Sequence, residues 1–191
     1  MTWILPGTTL ERPRCEADRV QTTFTSMFLP GDMVLSQVAA ISGLEPYTIQ
    51  NWVKRGFLSP PRDKHYTLAQ LCRILNINML KSALPMDRIC GLLGYINGQL
   101  DDESDDLIDD SELYFMFVRL AVRCGRRETR QQWSDAIREV LESYQEPRPG
   151  AKDRIEKVLQ IMLVAWFAAK MRQEAEKMAE SLCVNNEKGE S

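Results

Sequence analysis

At 191 residues with an apolar fraction of 44%, the chain can build a real core and fits one domain or two small ones. Its formal net charge of −3 excludes a polycation, and five scattered cysteines beside one histidine argue against a disulfide framework and against a zinc site. No leader-like segment opens the chain, and its longest apolar run, Ile161–Ala169, is far shorter than the roughly 20 residues a bilayer span needs. The expected setting is therefore the cytoplasm, with free thiols and no membrane contact.

In chain order, residues 1–15 read as an extended lead-in, broken by Pro6, Gly7 and Pro13. Ala17, Val20, Phe24, Met27 and Phe28 recur at helical spacing, which predicts a short amphipathic helix over 17–28. Pro30-Gly31 ends it. A helix is then predicted over 36–42, with Ser36 as cap and Gly43 in the left-handed turn that closes it. A second starts at Pro46, since proline is tolerated in a first turn, and ends at Gly56. Val38, Ala39, Leu44, Ile49, Trp52 and Val53 are spaced to share one small core between the two helices. Tyr47, Thr48, Gln50, Asn51, Lys54 and Arg55 are left outward on the second helix. A polar, basic outer face on the second helix of such a pair suits the major groove of double-stranded DNA. Pro60-Pro61 forces an extended course into a compact basic loop of Arg62, Lys64, His65 and Tyr66. His65 reads either as a surface residue or as a phosphate or groove contact. Tyr66 reads either as a packing anchor or as a contact.

Thr67 is a good N-cap for a helix striped by Leu68, Leu71, Cys72, Leu75 and Met79. A further helix runs from Leu84-Pro85 to Tyr95, burying Ile89, Leu92, Leu93 and Ile96. Composition then shifts: Gln99–Glu112 holds eight acids and no base. It lacks the glycine and spaced carboxylates of a calcium hand, so it reads as a solvated linker. Beyond it Leu113, Met116, Phe117, Leu120 and Ala121 stripe a helix that Ser111 can cap. Arg123, Arg126, Arg127 and Arg130 cluster around Gly125, either pairing with nearby acids at a solvated helix junction or making a second phosphate contact or an anionic effector pocket. A helix over 129–144 follows, with Trp133, Ala136, Ile137, Val140, Leu141 and Tyr144 on one face, until EPRPG at 146–150 breaks it. The last helix spans 151–183. One heptad stripe on it runs Ile161, Val164, Ala168, Met171, Ala175, Met178, Leu182. A second runs Ile155, Leu159, Met162, Trp166, Ala169, in the first half only. Burial on two sides suits a helix that packs on its own lobe and on another chain, and a 3.5-residue repeat favours helix–helix association.

The segments LSQVAAISGL (35–44), YTIQNWVKRGFL (47–58), SPPR (59–62), KHYT (64–67) and LAQLCRILNINMLKSALPMDRICGLL (68–93) together resemble the MerR-like winged helix-turn-helix regulators. Within that resemblance the chain looks most like an uncharacterised bacterial domain-of-unknown-function family with a MerR-like start. It departs from typical members at Gln50 and Asn51, where they carry arginine then tyrosine, and in its short wing. The resemblance implies paired helices after the wing.

The expected fold is therefore all-α: a MerR-like winged helix-turn-helix followed by a helical bundle with a long C-terminal helix. The expected division is an N-terminal extension (1–29), a DNA-binding domain (30–98), an acidic linker (99–111), a helical dimerisation or effector lobe (112–184) and a flexible tail (185–191). Charge is divided too: residues 1–99 carry +3 and residues 100–191 carry −6, so the mildly basic half holds the helix pair. The expected function is sequence-specific transcription regulation as a homodimer, without cofactor, metal or catalytic group. A helical-lobe effector walled by Trp133 and Trp166 is a further candidate. The alternative is a protein-interaction factor that uses the helix pair as a docking surface, which exposed Trp52 and Phe57 would favour.

Overall fold

The computed structural model describes residues 2–98, 100, 105–124 and 129–187, without the side chains of Cys15, Glu16 and 183–187. Asp101–Ser104 of the acidic run, Arg126 and Arg127 of the arginine cluster, the last four tail residues and the Cys15 and Cys183 side chains lie outside the described residues. The described chain is mostly helical, with eight α-helices and four very short strands. No described helix is long and apolar enough to cross a membrane.

The N-terminus departs from the extended lead-in. Strand β1 (Thr2–Ile4) pairs antiparallel with β2 (Glu11–Pro13), and a 3-10 segment over Arg14–Arg19 leads into helix α1 (Val20–Met27). The first turns of the expected 17–28 helix are therefore wound more tightly. The hairpin loop is knitted into the body by backbone groups. Thr9 N–H donates to Ile41 O at 2.9 Å, and the Thr9 hydroxyl donates to Ala40 O at 2.8 Å. Asn78 Nδ2 donates to both Gly7 O and Ser42 O at 2.8 Å, and the buried Tyr114 hydroxyl donates to Pro6 O at 2.9 Å. Leu5, Val20 and Phe24 are buried in the core. Phe24 meets Tyr114 and Phe115 at ring separations of 5.7 and 5.8 Å.

Strand β3 (Met33–Val34) leads into α2 (Leu35–Ser42), and α3 (Pro46–Lys54) follows. The cap of α2 differs from expectation. Val34 is the N-cap, and its N–H donates to the Gln37 side chain, which leaves Ser36 inside the first turn. Strand β4 (His65–Tyr66) pairs antiparallel with β3, Met33 opposite Tyr66 and Val34 opposite His65.

Helix α4 (Leu68–Leu80) starts at Thr67 as expected. Gln70 N–H donates to the Thr67 hydroxyl, and Gln70 Oε1 accepts from Thr67 N–H, so two orphan donors of the first turn are satisfied reciprocally. Its burial is not a single stripe, however. Every residue from Leu71 to Ile77 is buried, including Arg73 and Asn76. The reason is α6 (Asp110–Arg123), which lies along the far side of α4 and buries Leu113 to Val118 in turn. Asp109, not Ser111, is the N-cap of α6, its carboxylate accepting from Ser111 N–H. Helix α5 (Met86–Asn97), packed on α4 and the last helix, buries Ile89, Leu93 and Ile96.

The expected separation into two lobes by a solvated linker does not hold. One continuous core runs from Leu5 to Phe167. In the acidic run Leu107 and Ile108 are buried and Leu107 N–H donates to Ile96 O, so the run's C-terminal part is a packed connection. Helix α7 (Arg130–Val140) is capped by Thr129 and ends earlier than expected, with Leu141 and Tyr144 buried beyond it. Helix α8 (Ala151–Glu187) continues past residue 183 into what the sequence suggested was a tail. Its stripe Ile155, Leu159, Met162, Trp166, Ala169 is buried, whereas Ile161, Val164, Ala168, Met171, Ala175, Met178 and Leu182 are all exposed.

Candidate nucleic-acid interface

Helix α3 is amphipathic by spacing. Ile49 and Trp52 are buried, with Val53 partly so, and they hold the helix against α2 and the core. Tyr47, Gln50, Asn51 and Lys54 fall at i, i+3, i+4 and i+7, which places them on the opposite face. Tyr47 is 73% exposed, Gln50, Lys54 and Arg55 are exposed, and Thr48 and Asn51 are half-buried. The turn before α3 needs Gly43, whose φ of 68° is left-handed. The helix closes on Gly56, with φ 72°. Phe57 N–H donates to Trp52 O at 2.9 Å and Gly56 N–H donates to Val53 O at 3.0 Å, the two bonds of a Schellman cap.

Past that cap the Arg55 guanidinium sits 4.7 Å over the Phe57 ring, which orients it by cation–π attraction. The segment that follows is pinned from below by α4. Gln70 Nε2 donates to Ser59 O at 3.1 Å, and Arg73 Nε donates to Phe57 O at 3.1 Å. Arg73 also reaches Asp110 Oδ2 at 3.1 Å. The exit of α3 is thereby tied through one buried guanidinium to the first residue of α6. Burial pushes the Asp110 carboxyl up, against the opposing pull of Arg73. The sequence reading missed this link. Its signal was an arginine inside the otherwise apolar run LCRIL.

The basic loop forms a tight turn over Arg62–His65, closed by His65 N–H donating to Arg62 O at 2.8 Å. Its two central residues have positive φ, 48° at Asp63 and 67° at Lys64, as in the primed turns of hairpins. His65 Nδ1 lies 2.8 Å from Asp63 O. Arg62, Lys64 and His65 are exposed. Tyr66 is not: at 3% exposure it is a core residue anchoring β4 to β3, and it leaves the set of candidate contacts. Because β3 runs directly into α2, the turn and α3 are both carried by α2. A left-handed conformation costs an L-residue about 1–2 kcal/mol, while glycine pays about 0.5–1 kcal/mol in unfolded-chain entropy. Lys64→Gly should therefore raise stability by about 0.5–1 kcal/mol, read by urea unfolding.

Trp52 is buried and Phe57 half-buried beneath Arg55, so neither is the exposed aromatic that would favour the docking alternative. Among the described residues no cluster of His, Cys, Asp and Glu could hold a metal ion. Cys72 is buried in the core, and burial pushes its thiol well up, with Asp110 and Asp109 adding to the shift. Cys90 is pushed up too, chiefly by burial. Neither has the electropositive, exposed setting of a reactive thiolate.

Residues 30–117 match the model of a family described as a domain of unknown function (DUF1836). The match covers a little under half of the chain. It takes in α2, α3, the basic turn, α4, α5 and the first half of α6, and so contains both Arg73 and Asp110. It leaves out the N-terminal hairpin and α8. No curated protein matches the chain, and no solved structure does.

Proposed function

We propose that this protein is a sequence-specific DNA-binding transcriptional regulator whose α2–α3 pair and basic turn act as a MerR-like winged helix-turn-helix. One observation carries the reading. Helix α3 is held by its apolar side and closed by the Gly56 cap at its C-terminal end, while the outward face of Tyr47, Gln50, Asn51 and Lys54 is polar, basic and aromatic. In this reading Gln50 is the principal base reader, because an exposed amide can pair bidentately with adenine, and the half-buried Asn51 assists. Lys54, Arg55, Arg62 and Lys64 hold phosphates and set register, with His65, Tyr47 and Thr48 beside them. No catalytic role is assigned to any residue.

Gel shifts on a duplex selected from a random pool, and on a random duplex, test this across a salt series. Gln50→Ala should cut the preference for the selected duplex by about tenfold, the loss of one good base contact. The Lys64→Gly variant should weaken binding to both duplexes alike and flatten the salt dependence, although it stabilises the fold. Binding that ignores salt, or equal effects of both variants on the two duplexes, would rule the assignment out.

One such module binds non-specifically with a dissociation constant of only about 10⁻⁴–10⁻⁶ M. Two copies on a two-fold axis would read half-sites about one helical turn apart. The exposed heptad stripe of α8 is the surface proposed to join them. Met171 is 58% and Met178 65% exposed, on a helix that has no buried residue after Ala169 among those whose side chains are described. A Met171→Glu, Met178→Glu double variant should sediment as a monomer while α3 and the turn stay folded. A wild-type chain that is already monomeric at high concentration would exclude the pairing.

A further inference from the structure

A second feature lies on a different face of α8. Where α6 ends and α8 leaves the body, a cleft of about 600 Å³ opens between α6, the 3-10 segment and α8. That size lies in the range of about 300–1,000 Å³ typical of small-molecule sites. Its floor is aromatic. Trp166 and Phe167 meet at 4.9 Å, and Trp133 stacks behind Phe167 at 5.2 Å and 15°. Among the described residues its rim is cationic, with Arg14, Arg123, Lys170 and Lys177 beside one lining carboxylate, Glu174. This concentration of positive charge falls mainly in the half of the chain that is otherwise strongly acidic.

We propose that this cleft binds an organic anion with a flat apolar body, such as an aromatic carboxylate. The Lys170 ammonium, 4.0 Å from the Trp166 ring, stands where a ligand's ring and its charge would meet. The ring lies along the Trp166–Phe167 edge and the anion faces Lys170, Lys177 and Arg123. Arg123 is paired with Glu139 at 2.9 Å, and its side chain remains 43% exposed. The four cations of the rim disfavour cationic ligands, and the aromatic floor disfavours small inorganic anions, so the site selects for both properties together. The cleft residues of α8 and its heptad stripe lie on separate helix faces, so a bound ligand leaves the stripe free. The inference does not depend on DNA binding.

The test is calorimetric titration of the full chain with 1-naphthoate and, separately, with 1-naphthol, which has the same ring system without the charge. One naphthoate per chain is expected, with naphthol at least about tenfold weaker, the scale of a lost charge-assisted contact. Lys170→Gln with Lys177→Gln should weaken naphthoate by about tenfold or more. Both side chains are exposed, and the double variant should keep the wild-type circular dichroism spectrum. Lys157→Gln, exposed on α8 outside the cleft, should change nothing. Equal binding of naphthoate and naphthol, an equal effect of Lys157→Gln, or no binding of naphthoate at millimolar concentration would each overturn the proposal.

Discussion

Replacing Arg73 with methionine is expected to lower the unfolding free energy by about 3–5 kcal/mol, the cost of leaving one partner of a buried ion pair behind. The Arg73 and Asp110 side chains are 8% and 13% exposed, so neither is replaced by solvent when the other is removed. Phe57 O would lose its donor as well. The pH dependence gives the loss a signature. Burial already raises the Asp110 carboxyl, and the Arg73 charge and hydrogen bond are what hold it down. Without them it rises further. A carboxyl raised in the folded state binds its proton more tightly there than in the unfolded chain. Its penalty is therefore full above the raised value and relieved as pH falls toward the ordinary carboxylate range. Urea unfolding of Arg73→Met at about pH 8 and about pH 5 should show a smaller deficit against wild type at the lower pH. Adding Asp110→Leu should recover more than half of the loss, because no buried charge then remains. A deficit independent of pH, with no recovery in the double variant, would mean that the ion pair contributes nothing beyond packing volume.

Gly7→Ala should destabilise by about 2–4 kcal/mol, combining the left-handed penalty with an overpacking term. Gly7 has φ 71°, and a Cβ there would stand 2.3 Å from Leu75 O, a backbone atom in the middle of α4. A carbonyl within a buried helix cannot rotate away as the tip of a side chain could. The hairpin loop would have to lift instead, and with it the contacts of Thr9 to α2, Asn78 to Gly7, and Tyr114 to Pro6. Gly91→Ala is the contrasting case. It lies within α5 with open space around its would-be Cβ, and should stabilise by about 0.5–1 kcal/mol. Thermal or urea unfolding of the two variants separates backbone crowding from the general effect of adding a methyl group. A Gly7→Ala chain as stable as wild type would show that the loop is not held against α4.

These two residues also mark where the fold was and was not readable. The α2–α3 pair was legible because its determinants are local: Gly43, Pro46 and Gly56 punctuate it, and Ile49 and Trp52 set its buried side. The central position of α4 was not. Periodicity reads a residue by its type, and Arg73 and Asn76 look like solvent-facing positions until Asp110, far along the chain, is seen to meet them. The acidic run misled in the opposite sense. Its charges suggest a solvated spacer and conceal Leu107 and Ile108, which are packed. The N-terminal hairpin left almost no trace, since Pro6, Gly7 and Thr9 are bound largely through backbone groups that every residue possesses. Among the candidate contacts Tyr66 is the one that is buried, because a tyrosine in a basic loop can serve as anchor or as contact and burial alone decides between them.

The outer half of α8 has one more consequence. A helical segment with little burial draws its stability mainly from intrinsic propensity, which is marginal in water. Beyond Ala169 every residue of this helix whose side chain is described is exposed. Its coil–helix equilibrium and any self-association on the heptad stripe are therefore thermodynamically linked. The ellipticity of the protein should then depend on its concentration, with amide hydrogens in this half exchanging fastest in dilute solution and slowing as the chains find one another.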